Sequence, residues 1–202
     1  MTVYFKALTQ ILKNYNIYFF PILYYEICFY IRYPSKFNRF KYLNSKSFSD
    51  SIPCSLFTLN KIVNFINDKK IKKICDLGSG YGKILYYLGD VKKYFVDGIE
   101  FDEEIFFESL VLKKSNINIF NKNILKFNYN EKKYDLLIVN DPLKKISDFK
   151  FLTKKILEIK KKTYLVFINI DKSKAKEVFK YFKILDFCNI SNRRNIIFCV
   201  SD

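Results

Sequence analysis

Three glycines at alternate positions, Gly78, Gly80 and Gly82, follow an acid, Asp76, that closes an apolar run. Glycine lets a backbone turn through positive φ and brings its N–H groups close to a ligand. A helix starting just beyond offers free N–H groups to a carboxylate or phosphate. The stretch Asp76-Leu77-Gly78-Ser79-Gly80-Tyr81-Gly82 therefore reads as a ligand cradle, although a tight strand–helix turn uses the same glycines. A second acid, Glu100, ends Gly98-Ile99-Glu100 near the ~20-residue offset at which open α/β sheets place a ribose-binding carboxylate. Phe101 follows it and is placed to pack on a base. Asp76 sits at a strand's C-terminal end, where such sheets bind ligands; capping its own turn is the plainer role.

Two further segments carry polar groups at strand ends. Asn140-Asp141-Pro142-Leu143 follows an apolar run, and its Asn and Asp can orient an acceptor group and take a proton. An Asp-Pro turn explains the same residues. Asn121-Lys122-Asn123-Ile124-Leu125 holds Asn123, which is equally a turn former, beside the apolar Ile124.

These residues need elements to hold them. Apolar residues at Leu56, Leu59, Ile62, Val63 and Ile66 have helical spacing. From residue 71 onward strands and helices alternate. Strands are expected at 71–77, 94–100, 117–120, 134–140, 163–170, 184–190 and 195–200. Helices are expected at 83–89, 103–113, 148–160 and 173–182, the third with Phe151, Leu152, Ile156 and Ile159 on one face. Alternation implies a mostly parallel sheet covered on both faces. The last two strands, joined by Ser191-Asn192-Arg193-Arg194, are too close for a helical crossover and must pair antiparallel.

The first 50 residues differ. They are aromatic-rich between Ile17 and Ile31, then basic and turn-like over Arg32-Tyr33-Pro34-Ser35-Lys36. We read residues 1–50 as a helical cap and 51–202 as the main domain. The apolar run contains Pro21 and Glu26 and is shorter than the ~20 residues of a spanning helix. No transmembrane span is expected, and peripheral membrane contact stays open. Ser47–Pro53 precedes the first long helix and suits either a lid or a linker.

Composition narrows the chemistry. The chain has 202 residues, a net charge of +16 and no His, which excludes imidazole zinc sites and Ser-His or Cys-His nucleophiles. No metal site is expected. Five scattered cysteines without a C-x-x-C pair argue against a disulfide framework and suit a cytoplasmic setting. Only Arg32, Arg39, Arg193 and Arg194 are arginines, whereas base and phosphate readers favour Arg forks. The positive charge therefore reads first as a solvated surface, with a nucleic-acid partner as the alternative.

From Ile71 to Asp202 the chain resembles class I S-adenosylmethionine (SAM)-dependent methyltransferases. The loop DLGSGYGK, the GIE strand end and the NDPL segment occur in that superfamily's order. More narrowly, it is similar to small methyltransferases with a D-L-G-S-G-x-G-[KR] loop, some of which modify protein lysines outside the SET fold. The resemblance implies a Rossmann-like seven-stranded sheet with an antiparallel C-terminal hairpin and SAM as cofactor. Asp76, Gly78, Ser79, Gly80, Tyr81 and Gly82 would cradle the methionine end, Glu100 both ribose hydroxyls, and Phe101, Asn123 and Ile124 the adenine. Asn140 and Asp141 would serve the acceptor. Amino-directed relatives often carry [ND]-P-P-[YF] there; this chain has Asp141 for the first Pro and Leu143 for the aromatic. An amine of a protein or small molecule is the expected acceptor. A binding module without catalysis and an RNA methyltransferase are the alternatives.

Overall fold

The structure, a computed structural model, describes residues 19–32, 39–191 and 194–201. The expectations for residues 1–18, for Tyr33 to Lys36 and for the Asn192-Arg193 turn lie outside these residues. Seven strands form one sheet in the order β3-β2-β1-β4-β5-β7-β6. They are β1 (Lys73–Leu77), β2 (Phe95–Glu100), β3 (Ile117–Asn121), β4 (Leu136–Asn140), β5 (Thr163–Ile168), β6 (Lys183–Ser191) and β7 (Arg194–Ser201). β1 pairs in parallel with β2 and β4, and β2 with β3 and β4 with β5 likewise. β7 pairs antiparallel with both β5 and β6. This is the Rossmann-like architecture expected of the sequence, terminal hairpin included.

Helices α1 (Phe19–Arg32), α2 (Leu56–Lys69) and α3 (Lys83–Leu85) cover one face, and α3 continues as a π-helical stretch over Tyr86–Val91. α4 (Glu103–Ser109) and a short α5 (Tyr129–Lys132) follow β2 and β3; α6 (Ile146–Leu157) and α7 (Lys172–Tyr181) follow β4 and β5. Strand alternation divides the core between the faces. Ile74, Val96, Leu136 and Ile138 pack with Phe29, Leu59, Ile62 and Leu85 on the first. Cys75, Leu77, Leu137 and Val139 pack with Phe149, Leu152 and Ile156 on the second. Cys75 and Cys199 are buried free thiols, as their apolar runs suggest. No described helix is long and apolar enough to cross a membrane.

One expectation for α6 is corrected. Phe149, not Phe151, joins Leu152 and Ile156 in the core, and Phe151 is half exposed. Phe149, Leu152 and Ile156 recur at the i, i+3, i+7 spacing of one helical face. Phe151 lies about a quarter turn from Leu152 and points out.

The chain fills β1, β2 and β3 outward on one side and then returns to place β4 on the other side of β1. Strand order therefore reverses between β1 and β4, at the C-terminal ends where α/β sheets hold ligands.

Candidate functional site

At that reversal a cleft of about 750 Å³, open to solvent, is lined by Asp76, Gly78, Ser79, Gly80 and Tyr81 from the β1–α3 loop, and by Glu100, Phe101 and Asp102 from the end of β2. Ile124, Asn140 and Pro142 close one wall, and residues 48–54 cover the mouth. Gly80 and Glu100 thus share one cavity and touch: the Gly80 N–H donates to Glu100 Oε2 at 2.8 Å.

The loop's path requires glycine. Gly78 has φ +81 and an added Cβ would lie 2.7 Å from Pro142 Cβ, while Gly80 has φ +55 and a Cβ there would meet Ser51 Oγ at 2.6 Å. Gly82 lies at the start of α3, also with positive φ. The Gly78 and Ser79 N–H groups both donate to the Ile99 carbonyl, which draws the loop across β2.

Asp76 and Glu100 lie on the same sheet face, two residues along from Ile74 and Gly98. Asp76 is fully enclosed, and neither carboxylate oxygen has a hydrogen-bond partner; Ser79 Oγ is also buried and unpartnered. Burial, with the nearby Glu100 charge, pushes the Asp76 carboxyl up to about 8. An unpaired buried carboxylate is costly unless a cation or donor meets it. Glu100 is held differently. Its Oε1 accepts from the Phe101 and Asp102 N–H groups at 2.8 and 2.9 Å, and its Oε2 from Gly80. Burial raises its carboxyl and these three bonds oppose the rise. A carboxylate has about four acceptor sites, so one remains open, fewer than clasping two ribose hydroxyls requires.

The remaining expected residues divide. Phe101 lines the cleft and stacks on Phe48, ring centroids 4.4 Å apart and planes 20° apart. Ile124 is buried on the cleft wall. Tyr81 lies beneath the Arg39 guanidinium at 5.9 Å. Asn140 faces the cleft, donates to the Ile52 carbonyl at 3.2 Å and accepts from Asn169 at 3.2 Å. Three residues do not line the cleft: Gly82, where an added Cβ would run into Leu112 Cδ1 in the core beneath the loop, and Asn123 and Asp141. Asn123 does not line the cleft; its Oδ1 accepts from the Leu125 N–H at 2.8 Å, an Asx turn. Asp141 has φ +41 and turns to α7, where its Oδ1 meets the buried Lys174 ammonium at 2.5 Å. Lys174 also donates to the Leu143 carbonyl.

The segment before α2 spans the mouth. Lys41 and Ser51 exchange backbone bonds, Ser49 N–H donates to the Pro142 carbonyl at 3.0 Å, and Lys144 N–H to the Ser47 carbonyl at 2.8 Å. Lys41 Nζ reaches Asp102 and Glu104 across the cleft at 3.0 and 2.7 Å. Both rims are thus tied to one loop.

Sequence reasoning passed over two residues here. In the sequence Lys83 figures only as the last residue of the DLGSGYGK loop, and Glu26 only as an obstacle to a membrane span. The structure pairs them: Lys83 Nζ is 3.0 Å from Glu26 Oε2, and Lys83 is almost fully buried. A signal did exist. A single acid within an apolar helix needs a partner, and a cation in a helix's first turn opposes the helix dipole.

The strand order, terminal hairpin and cleft at the β1–β4 reversal define the class I methyltransferase fold. Solved structures with the same fold include magnesium protoporphyrin IX methyltransferase (ChlM) from Synechocystis PCC 6803 with bound SAM (17% identity, 72% of this chain and 79% of that chain, TM-score 0.58). Others are the N-methyltransferase NodS from Bradyrhizobium japonicum WM9 (10% identity, 71% and 93%, TM-score 0.58) and the methyltransferase domain of bacterial CtHen1-CN (13% identity, 70% and 96%, TM-score 0.58). The chain belongs to the family described as methionine biosynthesis protein MetW, whose pattern matches residues 58–191. No curated protein matches it.

Proposed function

We propose that the protein is a SAM-dependent methyltransferase whose acceptor is an amine of a protein or small molecule. The observation that carries this reading is the Asp76 carboxylate, enclosed in the cleft wall with both oxygens unpartnered. The donor it fits is the ammonium of an α-amino acid, in a cleft that also offers an acid and an aromatic ring. The solved neighbour with bound SAM supports the same ligand.

In this reading Asp76 holds the amino group, and the Gly78–Gly82 loop lies along the amino-acid chain. Glu100 takes one ribose hydroxyl through its open acceptor site, and Phe101 and Ile124 pack on the adenine. When bound, SAM supplies an already activated methyl group, so the protein's work is alignment and exclusion of water. Asn140 orients the acceptor: its Oδ1 has a second lone pair beyond the one Asn169 uses. Asp141 has its carboxylate committed to Lys174 and serves the Asn140–Leu143 turn. The 41–54 loop closes over the site as a lid.

A second reading, a SAM-binding module without catalysis, is favoured by one observation. Every polar side chain of the Asn140–Leu143 segment already has a partner within the chain. Incubation with methyl-tritiated SAM and fractionated lysate separates the two. Label in protein or small molecules supports the enzyme. Saturable SAM binding with no label in any fraction supports the module, and label confined to RNA overturns the amine acceptor.

A further inference from the structure

Helix α1 has two unlike faces. Ile22 and Phe29 are buried against the body, and the Tyr25 ring meets the Phe57 ring of α2 at 6.2 Å. Glu26, the helix's one acid, is also turned inward, to Lys83 Nζ at 3.0 Å and the Leu56 N–H at 2.5 Å. The outer face is apolar. Leu23, Tyr24, Ile27 and Ile31 are 38%, 65%, 50% and 79% exposed. Ile27 stands four residues from both Leu23 and Ile31 and three from Tyr24, so the four side chains form one stripe. A contiguous apolar stripe facing water marks a binding surface.

Charge indicates what covers it. Residues 1–49 hold seven basic residues and one acid, and that acid is the inward-turned Glu26. Arg32 is exposed in the last turn of α1. Lys61, exposed on α2, sets its ammonium 5.8 Å from the Phe57 ring that meets Tyr25. The stripe is therefore flanked by cations. A two-fold contact between copies sets one patch against itself and would bring these like charges together. Protein interfaces are also depleted in lysine. An anionic bilayer answers both features, since apolar side chains enter the headgroup–acyl boundary while cations stay among the headgroups. The 14 residues of α1 reach about 21 Å, too short to span a bilayer and suited to lying along one.

We propose that α1 docks the protein on an anionic lipid surface through Leu23, Tyr24, Ile27 and Ile31. The Glu26 bonds fasten α1 to Lys83 and to the start of α2, so the helix carries the whole domain to the surface. This surface stands whether or not the cleft binds SAM.

The test uses the full chain and vesicles of phosphatidylcholine, alone or mixed with phosphatidylglycerol. The chain has no Trp, so an introduced one reports its own surroundings. Ile27→Trp should show blue-shifted emission with the anionic vesicles and quenching by brominated lipid. Phe151→Trp, at an exposed position of α6 on the opposite face of the sheet, should show neither. In co-sedimentation, wild type should bind the anionic vesicles about tenfold or more tightly than neutral ones, and high salt should weaken this binding. Tyr24→Ser/Ile27→Ser/Ile31→Ser changes only exposed side chains, so its thermal melt should match wild type while vesicle binding falls about tenfold or more. Wild type that stays in the supernatant with anionic vesicles overturns the proposal. So do equal shifts at both indole positions, or undiminished binding by the folded triple variant. Equal binding to neutral vesicles overturns the role of charge. A dimer seen by analytical ultracentrifugation and lost in the triple variant assigns the stripe to a second copy and overturns the lipid surface.

Discussion

Replacing Asp76 with asparagine should make the ligand-free protein more stable, by an amount that grows with pH. The Asp76 carboxyl is fully enclosed, and burial and Glu100 push it from the ordinary 3.8 up to about 8. Between those values the native state keeps a proton that the unfolded chain has shed. Raising the pH across that window therefore lowers stability. At ~1.36 kcal/mol per pH unit, the cost is about 1.5 kcal/mol at pH 5 and about 5–6 kcal/mol once pH passes 8. Asparagine carries no charge, but its amide inherits the same lack of partners and recovers only part of this. The expected gain is about 2–4 kcal/mol at pH 8 and below about 1 kcal/mol at pH 5, or roughly 5–15 °C in melting temperature at pH 8. Urea unfolding followed by far-ultraviolet circular dichroism at pH 5, 6, 7 and 8 measures the difference directly, and groups common to both proteins cancel. A difference that does not change with pH, or a variant less stable than wild type at pH 8, refutes the reasoning. The gain in stability should accompany a loss of SAM binding, since the same unpaired charge that costs folding energy is the one that receives the ligand.

Four other outcomes are expected. SAM affinity should rise close to tenfold per pH unit up to about pH 8 and then level off, because the cation must displace the Asp76 proton; titrations in buffers of different ionisation enthalpy will show proton release below pH 8. Lys174→Met should cost about 2–3 kcal/mol in urea unfolding, below the usual cost of breaking a buried pair because the Asp141 side chain is 28% exposed, whereas Asp141→Asn should cost less, since Lys174 keeps the Leu143 carbonyl and Asp171. Gly78→Ala should cost roughly 2–4 kcal/mol from left-handed strain and the clash with Pro142, more than Gly80→Ala, where the rotatable Ser51 hydroxyl can yield; urea midpoints will rank them. Phe48→Ala should leave the fold intact and weaken SAM binding about three- to tenfold by removing the ring stacked on Phe101, as measured by titration.

Much of the architecture was legible because it is local and periodic. Apolar runs of strand length alternating with helical spacing specify a parallel sheet, and the short Ser191–Arg194 connection forces the final hairpin. The alternating glycines and the acid at Glu100 are likewise marked by type and spacing, and they meet in one cleft. What the chain did not reveal depends on partners distant in sequence. Nothing near Glu26 marks Lys83, 57 residues away, and nothing in the NDPL segment shows that Lys174 draws Asp141 out of the cleft. Phe149 and Phe151 are equally apolar, and only where α6 begins decides which is buried. Asn123 had two uses open to it, and the Leu125 N–H supplies the local one.

The central claim is that the enclosed Asp76 corner and the Glu100 strand end receive the amino group and the ribose of SAM in one cleft. Isothermal titration of the wild-type chain with SAM at pH 8 tests it most directly. The account predicts one site per chain, with a dissociation constant on the order of 1–100 μM that is lost on Asp76→Ala. Absence of saturable heat up to millimolar SAM, or binding that Asp76→Ala leaves intact, would contradict it.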